Sequence, residues 1–396
     1  MSGRMSKKKL LIVNNNMHIG GVQRALVNLL GCIHDQYDVT LLLFHPAGVL
    51  RKEIPADVQV VPVRSAYRFL GMTKDDVQGK RALWLQRSFY AAISRLGGRS
   101  AAIGLMALGQ RKLRGYDVAI SYLHDAGDKM FYGGCNDFVL RHVEAEKKVA
   151  FLHCDFLHSG AHTPANAARY AQFDCVAACS EGCRDAFVQA CPKLRDKVLV
   201  VRNCQAYEAV RRAAESAPEQ LPAGRINLLT VARMGREKGV TRAIQALAGL
   251  KDVRAEYHYY IIGDGAERPA VEELIARHGL QERVTLLGER TNPYGFMKAA
   301  DVLLIPSVSE AAPMVIDEAA SLGTPVLTTE TTSAREMVEK KGFGWVCENS
   351  IEGIESALQR LLEQPEEMAA VQASMRQQDF HNQTAVRQFA RLMGDA

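Results

Sequence analysis

The stretch DVLLIPSVSEAAPMVIDEAASLGTPVLTT, residues 301–329, runs from one apolar segment through a helical pattern into a second apolar segment. The flanking runs DVLLIP and PVLTT are apolar along most of their length, without the alternation of a half-exposed strand. Strands of that kind are buried on both faces, as in a parallel sheet covered by helices. Pro313 fits the first turn of the intervening helix, where a missing N–H costs nothing. Two glutamates stand in this unit, Glu310 just after the first strand and Glu318 inside the helix. The first is placed where a helix begins and the second among apolar neighbours further along.

The same alternation extends in both directions. Upstream of the quoted stretch lie INLLTVAR, a helix from about Lys238, YHYYIIGDG, a helix through PAVEELIARHG, and VTLLG. SARE, Ser333–Glu336, has the form of a capping box for the next helix. The amino-terminal half repeats the pattern: KLLIV, the turn NNNMHIGG, a helix with Val22, Leu26, Leu29, Leu30 and Ile33 on one face, then VTLLLF, DVAISYL, KVAFLH, CVAAC and KVLVV. With 396 residues the chain is too long for one ordinary core. The fold expected is α/β, two doubly wound, Rossmann-like domains that would hold a ligand in a cleft at the carboxyl ends of their strands. The domains are placed at 1–206 and 225–375. The polar, proline-containing stretch 207–224 reads as a linker, and 376–396 as a carboxy-terminal helix packing back on the first domain.

Hydrophobic residues make up 47% and charged residues 23% of the chain, a globular and not a disordered composition. The net charge of +5 does not point to nucleic acid. In the start MSGRMSKKKLLIV the apolar run Leu10–Val13 is too short for a signal peptide or a membrane span, and Lys9–Val13 reads as a strand. Nine cysteines without a C-x-x-C pair suit a reducing cytoplasm. A cytoplasmic location is therefore expected.

Several residues could carry chemistry. Gly20 and Gly21 stand at a strand-to-helix turn, where glycine admits a ligand to the backbone and the helix start offers free N–H groups. A plain tight turn explains them equally well. Neither this turn nor IIGDGAERP is a G-x-G-x-x-G fingerprint, so a nicotinamide dehydrogenase has little support. VARMGREKGV puts Arg233 and Lys238 beside the end of a strand, a pair of cations suited to a diphosphate or simply to a solvated loop. The backbone amides of Met314 and Val315 could bind phosphate or sugar oxygens. Glu310 could otherwise be a helix-dipole partner, and Glu318 a solvated helix residue.

Taken in order, Arg233–Lys238, IIGDGAER, FMKAADVLLIPS, Glu310 with Glu318, and ASLGTPVLTTET resemble the retaining glycosyltransferases of family 4. The resemblance covers the second domain and, more loosely, the glycine turn and sheet pattern of the first. It implies the GT-B fold and a nucleotide-diphosphate sugar as donor, UDP-sugars first among them. On that resemblance Arg233 and Lys238 hold the diphosphate, Glu310 contacts the transferred sugar, Glu318 binds the ribose hydroxyls, and Gly20 and Gly21 lie under the phosphates. His153, in VAFLHCDF, takes the position of the family's first-domain histidine, beside the donor sugar or the reacting hydroxyl. The family commonly has a glycine after the first glutamate. Here Ala311 and Ala312 follow, which narrows the approach to the backbone and bears on sugar identity.

No cofactor is expected, since the nucleotide sugar is a substrate. His153, Cys154, His158, His162, Cys175, Cys179 and Cys183 crowd one region without zinc spacing, and no D-x-D is present, so no metal is expected either. The expected reaction is transfer of a hexose-type sugar, with retention, to a glycan or lipid-linked glycan of envelope or polysaccharide synthesis. Epimerisation of a sugar nucleotide on a similar fold, or a non-catalytic sugar-nucleotide-binding partner, are the alternatives. Finally, residues 80–114 carry eight basic and no acidic residues, interleaved with Leu83, Trp84, Leu85, Phe89, Tyr90, Ile93 and Leu96. Such a segment can lie on an anionic membrane surface or pack on its own domain. A peripheral position on the inner face of the membrane is one expectation.

Overall fold

The computed structural model describes residues 7–250 and 253–395; residues 1–6 of the basic start lie outside it. The chain divides into two compact units, residues 1–204 with 382–396, and residues 205–381. The first holds seven strands: β1 (Lys9–Asn14), β2 (Asp38–Leu43), β3 (Gln59–Pro62), β4 (Leu113–Ser121), β5 (Val143–Leu152), β6 (Cys175–Ala178) and β7 (Val198–Val200). They lie in the order β3-β2-β1-β4-β5-β6-β7, every neighbouring pair parallel. The second holds β8 (Ile226–Val231), β9 (Tyr257–Ile262), β10 (Val284–Gly288), β11 (Val302–Ile305), β12 (Val326–Thr329) and β13 (Gly344–Cys347). Their order is β10-β9-β8-β11-β12-β13, again all parallel. Each unit is thus a doubly wound α/β domain.

Burial explains why the strands read as continuous apolar runs. Leu10, Leu11, Ile12 and Val13 point alternately to opposite faces of the first sheet, and all four are fully buried. Each such side chain contributes about 1.5–3 kcal/mol relative to an exposed one. Helix α1 (Gly21–Ile33) covers one face with Leu26, Leu29, Leu30 and Ile33. In the second unit Leu228 and Leu304 lie in one core, Leu229, Leu303 and Ile305 in the core on the other side of the sheet.

The strand order reverses direction between β1 and β4 in the first sheet and between β8 and β11 in the second. At such a switch point neighbouring connections leave to opposite faces, which opens a crevice at the carboxyl ends of the two strands. The segments after β1, β4, β8 and β11 are therefore where each unit can hold a ligand.

Four expectations are corrected. Arg99, counted among the basic surface residues of 80–114, is buried in the first unit. It is the first residue of α3 (Arg99–Met106), which follows α2 (Arg81–Gly97), and it donates to Asp137 at 2.9 Å and pairs with Asp125. A guanidinium is buried there because two carboxylates neutralise it. Residues 207–224 are not a linker throughout, since Tyr207–Ser216 forms α4 within the second unit. Val210 and Ala214, four residues apart, are its buried positions. Asn292 donates to the Ala213 carbonyl at 2.8 Å, and Arg211 Nε to that of Ser321 at 3.3 Å. The prolines responsible for the linker reading, Pro218 and Pro222, come after the helix.

Pro313 precedes α5 (Met314–Ser321) at its N-cap instead of lying within the first turn. Further on, the Ser333 hydroxyl donates to the Ala311 carbonyl, and Arg335–Glu339 winds as a π-helical turn. At the carboxy terminus, residues 376–381 remain in the second unit, where Phe380 packs 5.7 Å from Phe343. Helix α6 (Gln383–Met393) belongs to the first, with Phe389, Leu392 and Met393 in its core and Phe389 edge-on to Tyr37 at 5.8 Å.

Candidate active site

In the second unit the chain leaves β8, passes Arg233 and makes a 3-10 turn at Arg236–Lys238. Gly239 follows with φ +64°, and a Cβ there would lie 2.1 Å from the Pro306 carbonyl oxygen. Only glycine allows that approach, so the loop after β8 presses directly on the chain leaving β11. The Val308 amide donates to the Glu237 carbonyl at 2.8 Å, tying the two loops together. The result is a close ion pair, Lys238 Nζ to Glu310 Oε1 at 2.6 Å, with side chains 26% and 12% exposed. Ser307 Oγ donates to the same carboxylate oxygen at 2.9 Å. A half-buried carboxylate is thus oriented by two donors.

Arg233 behaves differently. Its side chain is 74% exposed and its guanidinium bonds Glu237 at 2.6 Å, one helical turn along. The structure therefore brings Lys238 and Glu310 together and leaves Arg233 on the outer side of the same loop.

Helix α5 begins at Met314 with no side chain capping its amino end. The amides of Met314 and Val315 stand at this end, where the helix dipole favours negative charge. Glu318 follows on α5, half-buried, with Tyr294 Oη 3.4 Å from its Oε1. Glu310, Lys238, Met314, Val315 and Glu318 all belong to the segments after β8 and β11, the switch point of the second sheet.

In the first unit the turn after β1 is shaped by asparagines. Asn14 Nδ2 donates to the Asn16 carbonyl at 3.0 Å, Asn16 Nδ2 to that of Gly71 at 2.7 Å, and Asn15 Oδ1 accepts from the Asn16 amide at 2.7 Å. The turn delivers Gly20 as the N-cap of α1, with no acidic residue in the first helical turn. A Cβ placed on Gly21 would meet no atom within 4 Å, so packing does not require glycine there. Room for a ligand is what its small size leaves.

His153 follows β5. Its ring packs on Tyr122, with centroids 4.6 Å apart, and stacks on Phe151 at 5.6 Å. Burial, aided by neighbouring His124, lowers its pKa from 6.5 to about 3. The imidazole is neutral near pH 7, and its Nε2 is buried without a hydrogen-bond partner. His124, after β4, was not foreseen, because the strand DVAISYL was read without the residue that ends the run. Its pKa falls to about 4 through burial, against the opposing charge of Asp125, and its Nδ1 is likewise buried and unpartnered. Ser307 and Glu237 were missed too. A signal existed for Glu237 in its four-residue spacing from Arg233, but none for the hydroxyl. Among the described residues no group of three or more His, Cys, Asp or Glu side chains is arranged to hold a metal ion.

Residues 211–378 match the family described as Glycosyl transferases group 1. WcaL of Escherichia coli, named for colanic acid biosynthesis, is 31% identical over 191 residues, 44% of this chain and 47% of the relative. The amylovoran biosynthesis glycosyltransferase AmsK of Erwinia amylovora is 28% identical over 180 residues, 42% of this chain and 44% of the relative. The matches span a little under half the length of these relatives. The crystal structure of Anabaena HepE in complex with UDP superposes with a TM-score of 0.68 at 21% identity, over 98% of this chain and 100% of that one.

Proposed function

We propose that this chain, which belongs through residues 211–378 to the group 1 glycosyl transferases and has the GT-B fold, moves a sugar from a nucleotide diphosphate to a glycan or lipid-linked acceptor. The observation that carries the reading is the Lys238–Glu310 pair beside the uncapped start of α5, at the switch point of the second sheet. A cation and a helix amino end are positioned to meet a diphosphate's charge, while a carboxylate stands where the attached sugar would lie. UDP-sugars are the favoured donors. The UDP held by HepE and the polysaccharide pathways named for WcaL and AmsK support the donor and acceptor classes.

In this reading Lys238 and the amides of Met314 and Val315 hold the diphosphate and stabilise it as it leaves. Arg233 joins them by exchanging Glu237 for phosphate, a stronger forked partner. Glu318 takes the ribose hydroxyls, and Glu310 orients the sugar so that the acceptor attacks from the face the nucleotide leaves. That geometry retains the anomeric configuration. Within the first unit, Gly20 and Gly21 are assigned to admit a phosphate at the start of α1, and neutral His153 to contact a sugar hydroxyl. The leaving group's charge is met by protein groups, so no metal is invoked. The exposed side chains of residues 80–114 in the first unit are assigned to an anionic membrane surface, on which a lipid-linked acceptor would be presented.

The direct test is incubation with UDP-sugars and candidate acceptors, following UDP release. Release that requires acceptor supports transfer. Interconversion of the sugar without acceptor would mean epimerisation, and binding without turnover a non-catalytic role.

A further inference from the structure

Between β11 and Glu310 the chain presents three consecutive carbonyls, those of Pro306, Ser307 and Val308, and each accepts a hydrogen bond from a different segment of the second unit. Arg242 Nη1 donates to Pro306 at 3.4 Å, Thr329 Oγ1 to Ser307 at 2.5 Å, and Asn349 Nδ2 to Val308 at 3.0 Å. The Val308 amide is tied as well, to the Glu237 carbonyl at 2.8 Å. The segment that delivers Glu310 is held peptide by peptide.

Asn349 is the node of this arrangement. Its Nδ2 donates a second bond, to the Glu330 carbonyl at 3.0 Å, and its Oδ1 accepts from Arg242 Nη1 at 2.8 Å. Both amide hydrogens and the carbonyl oxygen of one side chain are therefore engaged. That side chain joins the segments after β11, β12 and β13 to the helix Val240–Gly249, which follows β8. These four strands are neighbours in the sheet, and β8 and β11 frame its switch point. The place of Asn349 is fixed locally. Ser350 caps the helix Ile351–Glu363 by accepting from the Gly353 amide at 2.9 Å, and a Cβ on Gly353 would lie 2.4 Å from the Glu348 carbonyl oxygen. The helix start thus presses on the residue just before Asn349. Asn349 itself is exposed, so its bonds exchange readily for bonds to water and add little to the stability of the fold. What they supply is the geometry of the loop that carries Glu310.

Resting on the glycosyl-transfer reading above, we infer that Asn349 is a positioning residue for the transfer step. It holds the Val308 carbonyl directly and, through Arg242, that of Pro306, and so sets where the Glu310 carboxylate stands against the donor sugar. Lys238 comes from a different segment, the turn Arg236–Lys238, so holding the diphosphate and placing the sugar are separable. Asn349 acts on the second of these.

The test compares the full wild-type chain with Asn349→Ala, Asn349→Asp and Asn349→Gln. Hydrogen exchange at the Val308 amide reads the loop without any substrate, and Asn349→Ala should speed it severalfold. Titration with UDP should give the wild-type affinity in all three variants, and melting temperature should hardly change. UDP release is followed from UDP-glucose, UDP-galactose or UDP-N-acetylglucosamine, whichever the wild type turns over. Its kcat should fall about 10- to 100-fold in Asn349→Ala, the effect of a misplaced group and not of a lost binding contact. Asn349→Asp keeps the acceptor for Arg242 but loses both donors, so it should be as slow as Asn349→Ala. Asn349→Gln keeps the amide and should recover part of the rate. Unchanged exchange or unchanged kcat in Asn349→Ala overturns the proposal, as does a fall in kcat matched by an equal loss of UDP affinity. Full activity in Asn349→Asp overturns it too, since the donors to the loop would then be dispensable. Wild-type protein that neither binds UDP nor releases it from any of the three sugars fails the transfer reading instead, and the exchange rate of Val308 still decides whether Asn349 holds the loop.

Discussion

Lys238 Nζ and Glu310 Oε1 lie 2.6 Å apart, so without a donor the cation assigned to the diphosphate is held by the carboxylate assigned to the sugar. This pairing orders both side chains before substrate arrives and makes their roles separable. Removing the carboxylate's charge releases the lysine.

Glu310→Gln should therefore leave UDP affinity unchanged or slightly raised, while transfer falls by about two to three orders of magnitude, comparable to loss of one transition-state stabiliser. Calorimetry with UDP and acceptor-dependent UDP release measure the two quantities. Near-wild-type turnover in the folded variant would remove Glu310 from the reaction.

The two cations should differ. Lys238→Ala removes a charge placed at the switch point and leaves Glu310 half-buried without its partner, so UDP binding should weaken by about 1.5–3 kcal/mol. Arg233 must first leave Glu237 and is largely exposed, so Arg233→Ala should cost less, about 1 kcal/mol, and more at low salt than at high. Equal UDP affinity in wild type and Lys238→Ala would mean that the pair serves only the loop.

The fold was legible because its determinants are local. DVLLIP and KLLIV are apolar without alternation, and burial on both faces of a parallel sheet is what requires that. Glu310 and Lys238 could each be placed at a strand end from sequence, but their pairing depends on Gly239 lying against Pro306, a contact across 67 residues. The helix at Tyr207–Ser216 was hidden by the prolines beyond it, although Val210 and Ala214 carried the spacing. Arg99 looked like one more surface charge because its partners, Asp125 and Asp137, lie 26 and 38 residues further along.

Acid should destabilise the first unit through its two histidines. Both have folded pKa values below the ordinary 6.5, at about 4 for His124 and about 3 for His153. Below about pH 6.5 the unfolded chain therefore takes up protons that the native rings refuse, and stability falls as pH drops toward 4. The slope is at most about 1.4 kcal/mol per pH unit for each ring. Thermal melts from pH 7.5 to 4.5 should show a shallower decline in a His124→Leu, His153→Gln double variant than in wild type. Parallel declines would show that neither ring is held neutral.

The last prediction concerns α2. Its Leu83 and Tyr90 pack toward Phe69, Met72 and Val77 of the first unit, and Arg87 donates to the Met72 carbonyl at 3.0 Å. The other side presents Trp84, Leu85, Phe89 and Leu96 to solvent, with Leu96 91% exposed. Leu85, Phe89 and Leu96, four and seven residues apart, form a stripe on one helical face, with Arg81 and Arg95 on the same helix. No described helix is long and apolar enough to cross a membrane, so contact would be at the surface. An exposed apolar stripe flanked by cations gains from insertion at a headgroup boundary and from attraction to anionic lipid together. Vesicles containing phosphatidylglycerol should therefore co-sediment the protein at low salt, less so at high salt, and neutral phosphatidylcholine vesicles should not. A Trp84→Ser, Leu85→Ser, Phe89→Ser variant should lose binding at every salt concentration, since these side chains make no core. An Arg81→Gln, Arg95→Gln variant should lose the preference for anionic lipid. If wild-type protein stays in the supernatant with anionic vesicles at low salt, the stripe does not bind membrane and a soluble acceptor becomes the better assignment.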